Sequence, residues 1–397
     1  MKPKAWNRLL LVAMAALLAA TAARCTTTAG RAGEAAPPVR KLVATEGAGY
    51  LETVDGYPVL HLKGTPEEMG RQHGVLLRDH VAANVKFLLR EGEDQAVRLG
   101  NLVVTRPQMA VVLRKAFADK VPEPYLREMR ALAEGAGLPA DQVIACNLIP
   151  ELFHCSGFAL LKKATADGKL YHGRVLDYMI DQRLQDHAVL ILQEPDGKVP
   201  FANVSYAGFI GSVTGMNAEQ VSIGEMGGGG VGMWNGVPMA FLVRRVLEEA
   251  RTLDQAVAVF KDNPRTCEYF YVIADARADA AVGMWAVPDK VEVLGPGEAH
   301  PLLPTPVADA VLLSAGDRYR TLVERVREGH GRFTAASALR LMDAPVAMKS
   351  NLHDALMVPG DGVLYVANAT ADQAPAWEQP YHRFDVRRLL AERPKAD

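Results

Sequence analysis

Cys155, Arg174 and Asp177 are the residues of this chain whose types and spacing best fit catalysis. The residues between them predict two strands joined through Asp-Gly, which is a strong hairpin signal. Because the far ends of a hairpin come together, we expect Arg174 and Asp177 to lie within side-chain reach of Cys155. A guanidinium beside a thiol lowers the thiol pKa and favours the nucleophilic thiolate. The spacing therefore predicts a reactive cysteine.

The aspartate suits a cysteine whose own α-amine acts as the base. An α-amine has a pKa near ~8, so it titrates around working pH, and a carboxylate nearby can hold its ammonium form. By residue type alone, a second interpretation stays open, in which Arg174 and Asp177 form a surface ion pair and Cys155 is merely buried. The spacing and the small residues beside Cys155 favour the nucleophile.

The elements around this hairpin predict a layered α+β protein. Residues 65–150 are expected to be mostly helical, beginning at an N-cap in Thr65-Pro66-Glu67-Glu68. Strands are expected at 57–62, 158–161, 170–176, 188–193, 201–206, 208–213, 221–223, 269–274, 281–285, 291–294, 355–358 and 362–367. Helices are expected at 238–250, 253–260, 318–327 and 335–342. Strands grouped with strands and helices with helices favour α+β over a βαβ repeat.

The run from Cys155 to Tyr178, which ends in Gly-Arg-Val-Leu-Asp-Tyr, resembles a known family. It is similar to the start of the mature β-subunit in the choloylglycine hydrolase and acid-ceramidase-like amidases. The closest branch is peptidase C45, which contains acyl-CoA:6-aminopenicillanic acid acyltransferase. Residues 64–74 and 214–219 also resemble that branch, and the resemblance covers roughly residues 50–370. The second strand departs from the family in one place, because Val175 replaces the usual Asn.

The resemblance implies a four-layer αββα sandwich of the N-terminal-nucleophile (Ntn) hydrolase type, with a mostly helical N-terminal pro-segment. It implies a precursor that cuts itself between His154 and Cys155. The freed thiol would attack a small-molecule acyl amide or acyl ester to give an acyl-thioester, with no cofactor. By the same resemblance Arg174 lies by the thiol and Asp177 binds the new α-amine. The two fragments would remain associated.

The oxyanion hole is the part of the resemblance that this sequence does not match. Related amidases have an asparagine where this chain has Glu225 and a run of glycines, so only backbone N–H groups can serve there. Met226, Gly227 and Trp234 are the candidates for the oxyanion hole and an adjoining pocket. Asn351, which opens the last predicted hairpin, is a substitute candidate. That it only caps a turn is an equally open interpretation.

The N-terminus predicts export. Basic residues precede an apolar run from Leu9 to Ala23, as in a signal peptide, and the run is too short to favour a spanning helix. We therefore expect a signal at 1–25, a tether at 26–49, the pro-segment at 50–154 and the β-subunit at 155–397. A periplasmic or secreted protein is expected. A lipid anchor at Cys25, the only route to membrane contact, is the less favoured outcome because Arg24 precedes it.

Composition and motifs exclude or disfavour several other functions. A net charge of −2 gives no reason to expect a nucleic-acid partner. The match of Gly227, Gly229 and Gly232 to G-x-G-x-x-G lacks a βαβ context, and no H-E-x-x-H or G-x-S-x-G motif occurs. Two alternatives stay open: a lipid amidase or phospholipase-B-like hydrolase on the same scaffold, and an uncleaved, non-catalytic envelope binding protein.

Overall fold

The computed structural model describes residues 37–89, 96–99, 102–149, 154–178, 180–230 and 232–395. The predicted export signal and Cys25 lie outside these ranges. In chain order the strands are β1 Arg40–Glu46, β2 Gly49–Val54, β3 Tyr57–Gly64, β4 Ala96–Leu99, β5 Leu102–Thr105, β6 His154–Leu160, β7 Tyr171–Asp177, β8 Ala188–Pro195, β9 Phe201–Tyr206, β10 Thr214–Asn217, β11 Val221–Gly227, β12 Tyr269–Asp275, β13 Ala280–Val287, β14 Lys290–Leu294, β15 Ala310–Leu313, β16 Asn351–Val358, β17 Val363–Asn368 and β18 His382–Asp385.

The helices fall into four groups along the chain. They are α1 Pro66–Leu76, α2 Arg78–Leu89, α3 Arg106–Ala116, α4 Glu123–Ala136, α5 Ala140–Leu148, α6 Met239–Glu249, α7 Leu253–Lys261, α8 Gly316–Gly329, α9 Ala335–Leu339 and α10 Val386–Ala391. Within the described ranges, none of these helices has the length and apolar character needed to cross a membrane.

Two sheets face each other at the centre of the fold. The first has the strand order β1-β2-β3-β8-β9-β10-β11-β12-β13-β14, and the second has the order β15-β6-β7-β16-β17-β18. Strand β11 packs on β6 and β7, while α6 and α7 cover the outer face of the first sheet and α8 and α9 cover that of the second. Each sheet is therefore buried between the other sheet and a helical layer. This is the four-layer α+β sandwich that the sequence predicts.

Local sequence signals set several element ends where they were expected. Thr65 is the N-cap of α1, and its side chain and that of Glu68 form a capping box, with Pro66 at the first helical position. Strands β6 and β7 pair antiparallel, with Gly157 opposite Arg174 and Cys155 opposite Leu176. The predicted hairpin is thus confirmed. Its ends lie between β15 and β16, in the middle of the second sheet.

The predicted tether at 26–49 is too long at its C-terminal end. Strand β1 begins at Arg40, whose guanidinium binds Glu52 of β2 at 2.7 Å. Because β1 is an edge strand with half-exposed side chains, it lacks the apolar alternation that marks a buried strand.

The predicted strand at 208–213 is wrong, because the segment is irregular and β10 starts only at Thr214. Gly208 has φ +96°, and its N–H donates to His73 of α1 at 3.0 Å. The N–H of Ile210 donates to Asn147 of α5 at 2.8 Å. Side chains of α1 and α5 therefore accept the hydrogen bonds that a neighbouring strand would otherwise accept.

The N-terminal part of the chain, which includes the predicted pro-segment, is not a separate helical unit. Strands β1, β2 and β3 extend the first sheet, with β3 parallel to β8, and β4 and β5 form a small hairpin between helices α2 and α3. Shorter elements of the β-subunit were also missed, namely β15, β18 and α10. Each is at most six residues long, which leaves little periodicity to detect.

A buried ion pair ties the pro-segment to the helical layer of the first sheet. Arg244 of α6 donates from Nη1 and Nη2 to the two carboxylate oxygens of Glu128 in α4, at 2.9 and 2.7 Å. Its Nε reaches Glu248 at 3.3 Å, and these side chains are at most 2% exposed. The three groups are excluded from water, and an unpaired buried charge is costly. The stability of the protein should therefore depend on this pairing.

Arg244→Met should therefore destabilise the protein by about 3–5 kcal/mol, because it leaves the buried carboxylate of Glu128 without its cation, whereas Glu248 keeps Lys198. The measurement is the free energy of unfolding from urea denaturation. Arg245→Met is the matched control, since Arg245 is the next residue of α6 and its ion pair with Glu249 is partly exposed. Equal effects of the two substitutions would contradict the importance of the buried pair.

Candidate active site

The guanidinium of Arg174 is the centre of the site. Its Nη2 donates to Cys155 Sγ at 3.1 Å, and Nη2 and Nε both donate to the backbone oxygen of Glu225, at 3.1 and 3.2 Å. The carboxylate of Glu225 lies 3.4 Å from Nη2, and Nη1 reaches Nε2 of His353 at 3.3 Å. Arg174 is fully buried, and each of its three side-chain nitrogens has at least one partner within the protein. The structure thus joins Cys155 to a fixed cation.

Glycines make room for this arrangement. A Cβ at Gly224 of β11 would lie 2.8 Å from Cγ of Arg174, so only glycine lets the arginine cross between the sheets. A Cβ at Gly173 would lie 2.2 Å from the ring of Phe158, which covers that position from β6. These contacts explain the glycine that precedes Arg174 in β7 and the glycine that faces Arg174 in β11.

Cys155 is held as a neutral thiol in this structure, in which the chain is continuous. Burial raises the pKa of its thiol to about 12, although Arg174 acts in the opposite direction. The carboxylates of Glu225 and Asp177 also raise this pKa, while the backbone N–H of Gly227, directed at the sulfur, lowers it. Arg174, the predicted neighbour that favours the thiolate, lies beside the sulfur, but burial has the larger effect on the pKa of the thiol. Cys155 is only 6% exposed, and its thiol is therefore protonated near neutral pH.

Asp177 lies across the hairpin from the start of β6, opposite His154 in register. Its carboxylate forms an ion pair with Arg318 of α8 and accepts the N–H of Met348 at 2.8 Å. Burial raises the pKa of Asp177, and Arg318 opposes that rise. Arg318 also donates to Ser156 Oγ at 2.6 Å, so one cation links Asp177 to the residue after the cysteine.

His353 supports Arg174 from the far side as a neutral ring. Because Arg174 can only donate, Nε2 of His353 is an acceptor and Nδ1 carries the proton. Nδ1 then donates to the hydroxyl of Tyr206 at 2.8 Å, while Thr214 Oγ1 lies 3.0 Å from Nε2. Burial and the charge of Arg174 hold the pKa of His353 well below its usual value.

The other predicted site residues occupy three different places. Met226 packs against Gly157 of β6, and Gly227 directs its N–H at the sulfur. Trp234 packs 6.0 Å from the ring of Phe117 and lines a separate surface pocket.

Asn351 opens β16 as predicted, but its described contacts do not include Cys155. Its amide nitrogen donates to Asp354 at 2.9 Å and is directed at the backbone oxygens of Leu176 and His353, while its oxygen accepts the N–H of Trp377. An oxyanion role for Asn351 stays a prediction.

Sequence reasoning missed Glu225, Arg318 and His353. Glu225 had a usable signal, because a carboxylate inside an otherwise apolar strand must find a partner. Arg318 lies four residues before the buried Leu322 of α8, a spacing that favours the inner face of the helix. His353 had no comparable signal, since its partners come from three other strands.

An apolar pocket adjoins the hairpin on the side of β7. It is lined by residues of β7, β9 and the end of the pro-segment, including Leu176, Tyr178, Tyr206, Phe209, Val213 and Ile149. Leu176 is the cross-strand neighbour of Cys155. The pocket therefore begins next to the sulfur and is lined mainly by carbon.

Arg318→Met should lower the free energy of unfolding at pH 7 by about 3 kcal/mol, because it leaves the buried Asp177 without its cation. Burial already raises the pKa of Asp177 in the folded state. Loss of Arg318 raises that pKa further, so protonation below neutral pH removes the uncompensated charge. The loss should therefore shrink between pH 7 and pH 4 in urea denaturation.

Arg320→Met is the matched control for this prediction, since Arg320 lies on the same helix in an exposed ion pair with Asp317. This control should change the stability little. A loss in Arg318→Met that does not depend on pH would contradict the assigned partner.

The chain is similar to several known proteins. The model of the family described as Acyl-coenzyme A:6-aminopenicillanic acid acyl-transferase matches residues 164–294. That range includes Arg174, Asp177 and Glu225 and begins after Cys155. Protein dcd1B of Dictyostelium discoideum is 24% identical over 383 residues, covering 85% of this chain and 75% of that protein.

Similarity to acid amidases is more limited in extent. The N-acylethanolamine-hydrolyzing acid amidase of Mus musculus is 22% identical over 181 residues, which are 42% of this chain and 49% of the amidase. The chain thus spans about half the length of that relative. A solved structure of a Caenorhabditis elegans N-acylethanolamine-hydrolyzing acid amidase ortholog covers 58% of this chain and 100% of its own, at 18% identity and a TM-score of 0.42. The family and sequence matches confirm the predicted resemblance to this branch and indicate an enzyme of the amidohydrolase or acyltransferase type.

Proposed function

We propose that the chain is the precursor of a cysteine amidohydrolase or acyltransferase that cuts itself between His154 and Cys155. One observation carries the proposal: Cys155 lies at the start of β6 with its sulfur 3.1 Å from Arg174 Nη2 and facing the N–H of Gly227. A nucleophile next to a cation and a backbone donor is the arrangement that acyl transfer requires.

Self-cleavage begins with attack of Sγ on the carbonyl carbon of His154. The new C–S bond replaces the peptide C–N bond, and the thiol proton moves to the nitrogen of Cys155. The products of this step are a thioester and a free α-amine. Water then hydrolyses the thioester, which releases the carboxylate of His154 and regenerates the thiol.

Cleavage changes the electrostatics of Cys155. In the uncut chain the positive charges of Arg174 and Arg318 are matched by the carboxylates of Glu225 and Asp177. A thiolate would then be an excess negative charge, which agrees with its raised pKa. The new α-amine, next to the residue that lies opposite Asp177, adds a neutral base that accepts the thiol proton and becomes a cation. The same cut therefore exposes the nucleophile and supplies its base.

Turnover repeats this chemistry on a small N-acyl compound. Sγ attacks the amide carbonyl, the acyl group passes to sulfur, and the amine leaves with the proton held by the α-amine. Water, or a second amine, then takes the acyl group and restores the thiol. The N–H of Gly227 is our candidate oxyanion donor, because it already faces the sulfur.

The apolar pocket beside β7 is our candidate site for the acyl group. Its lining of Leu176, Phe209 and Val213 suits a hydrocarbon chain or an aromatic ring. The name of the mouse relative states that it hydrolyses N-acylethanolamines, which also supports an N-acyl substrate here. A lipid amide or ester is the second candidate, since the same pocket would accept its acyl chain.

We further propose that the two fragments stay together after cleavage and that the protein is exported. Strand β3 remains paired with β8, and Glu128 remains bound to Arg244, whether or not the chain is continuous at residue 154. These contacts bury the pro-segment against the β-subunit. Export rests on the basic and apolar N-terminal sequence alone.

Intact mass and N-terminal sequencing of the purified protein test the proposal. We expect two fragments, one of which begins Cys155-Ser156-Gly157. The two fragments should elute together in native gel filtration and separate in denaturant. Cys155→Ala should give one uncut chain, because it removes the attacking sulfur. A wild-type chain that stays uncut would contradict the mechanism and favour the non-catalytic binding protein.

A further inference from the structure

Glu268 lies beside the candidate active site and has no part in the chemistry described so far. It comes just before β12, next to the glycine-rich turn that follows β11. The backbone N–H of Gly228 donates to the carbonyl oxygen of Glu268 at 3.0 Å. Gly227, one residue earlier, directs its own N–H at the sulfur of Cys155. The backbone thus places Glu268 beside Gly228, the residue that follows the candidate oxyanion donor Gly227.

The side chain of Glu268 lies on the inner face of the first sheet, where Cys155 also lies. Gly224 faces Arg174 and Met226 faces Gly157, so alternate residues of β11 point to the second sheet. Gly228 continues that alternation. A Cβ at Gly228 would lie 2.8 Å from Cγ and 3.0 Å from Oε2 of Glu268, so the carboxylate lies over the same face.

The carboxylate is fixed on one side and open on the other. The indole N–H of Trp285 in β13 donates to Oε1 at 2.8 Å. Within the described ranges, no side chain of Lys, Arg or His forms an ion pair with Glu268, and no hydrogen bond reaches Oε2. The nearby Lys290, over the ring of Trp285, is paired with Glu292 instead. Glu268 therefore keeps an acceptor oxygen and its charge for a ligand.

Glu268 and the apolar pocket lie on opposite sides of Cys155. The pocket extends towards β9, on one side of β11, whereas Glu268 precedes β12, on the other side. An acyl group in the pocket would place its carbonyl at the sulfur and its amine portion towards Glu268. The half-buried rings of Phe270 and Trp285 share that side and favour a cation over a second anion.

We propose that Glu268 is a specificity-determining residue that binds a positively charged group on the leaving-amine side of the substrate. This inference rests on the proposed function and narrows it to N-acyl compounds whose amine portion carries an ammonium group. The carboxylate takes no part in bond making. It contributes a charge-assisted hydrogen bond at a partly exposed site. We expect this bond to give an ammonium ligand about a fivefold higher affinity than a neutral ligand of the same shape.

Binding of two uncleavable ligands tests the inference without requiring turnover. Both carry the same apolar acyl chain and a CH₂ in place of the amide N–H, and one ends in ammonium while the other ends in hydroxyl. By calorimetry, wild type should bind the ammonium ligand about fivefold more tightly. Glu268→Gln should bring the two affinities within about twofold of each other, because it keeps the indole hydrogen bond and loses the charge.

Glu298→Gln is the matched control, because Glu298 is an exposed acidic residue whose carboxylate also accepts one N–H, that of Gly295. It should keep the preference of wild type. Equal affinities in wild type, or a preference that survives in Glu268→Gln, would overturn the inference. An ammonium preference that depends on Glu268 in a protein that never cleaves amides would support this inference while contradicting the proposed function.

Discussion

The buried guanidinium of Arg174 is the interaction on which the rest of the site depends. It is held between two sheets by the backbone and side chain of Glu225 from one side and by His353 from the other. A cation at that depth is stable only when every donor is satisfied and an opposite charge lies nearby. The facing sheets give each nitrogen of Arg174 a partner and supply the carboxylate of Glu225, and the sulfur of Cys155 accepts one of the hydrogen bonds.

This constraint explains the local sequence on both sheets. Gly224 lets the arginine side chain pass, Gly157 admits Met226, and Gly173 admits the ring of Phe158. Each of these glycines is required by a close approach between strands. The neutral thiol of the continuous chain follows first from burial, and the two arginines and two carboxylates around it leave no excess positive charge to offset that burial. A new α-amine would shift that balance in favour of the thiolate.

Sequence reasoning reached the hairpin because its signals are local. The Asp-Gly turn, the flanking apolar runs and the spacing of Cys155, Arg174 and Asp177 lie within one stretch of chain. It missed Glu225, Arg318 and His353 because their contacts join residues 51 to 179 positions apart. It misplaced residues 208–213 as a strand for a related reason. Their backbone donors are taken by His73 and Asn147 of the pro-segment, which no local pattern reveals.

The central claim is that Cys155 carries the acyl group, and peptide mass mapping of acid-quenched protein during turnover of an N-acyl amide tests it most directly. The account predicts an added acyl mass on the peptide that begins with Cys155, and hydroxylamine at neutral pH should remove it, as expected of a thioester. Release of product with no acylated peptide, or with the acyl group on another residue, would contradict the account.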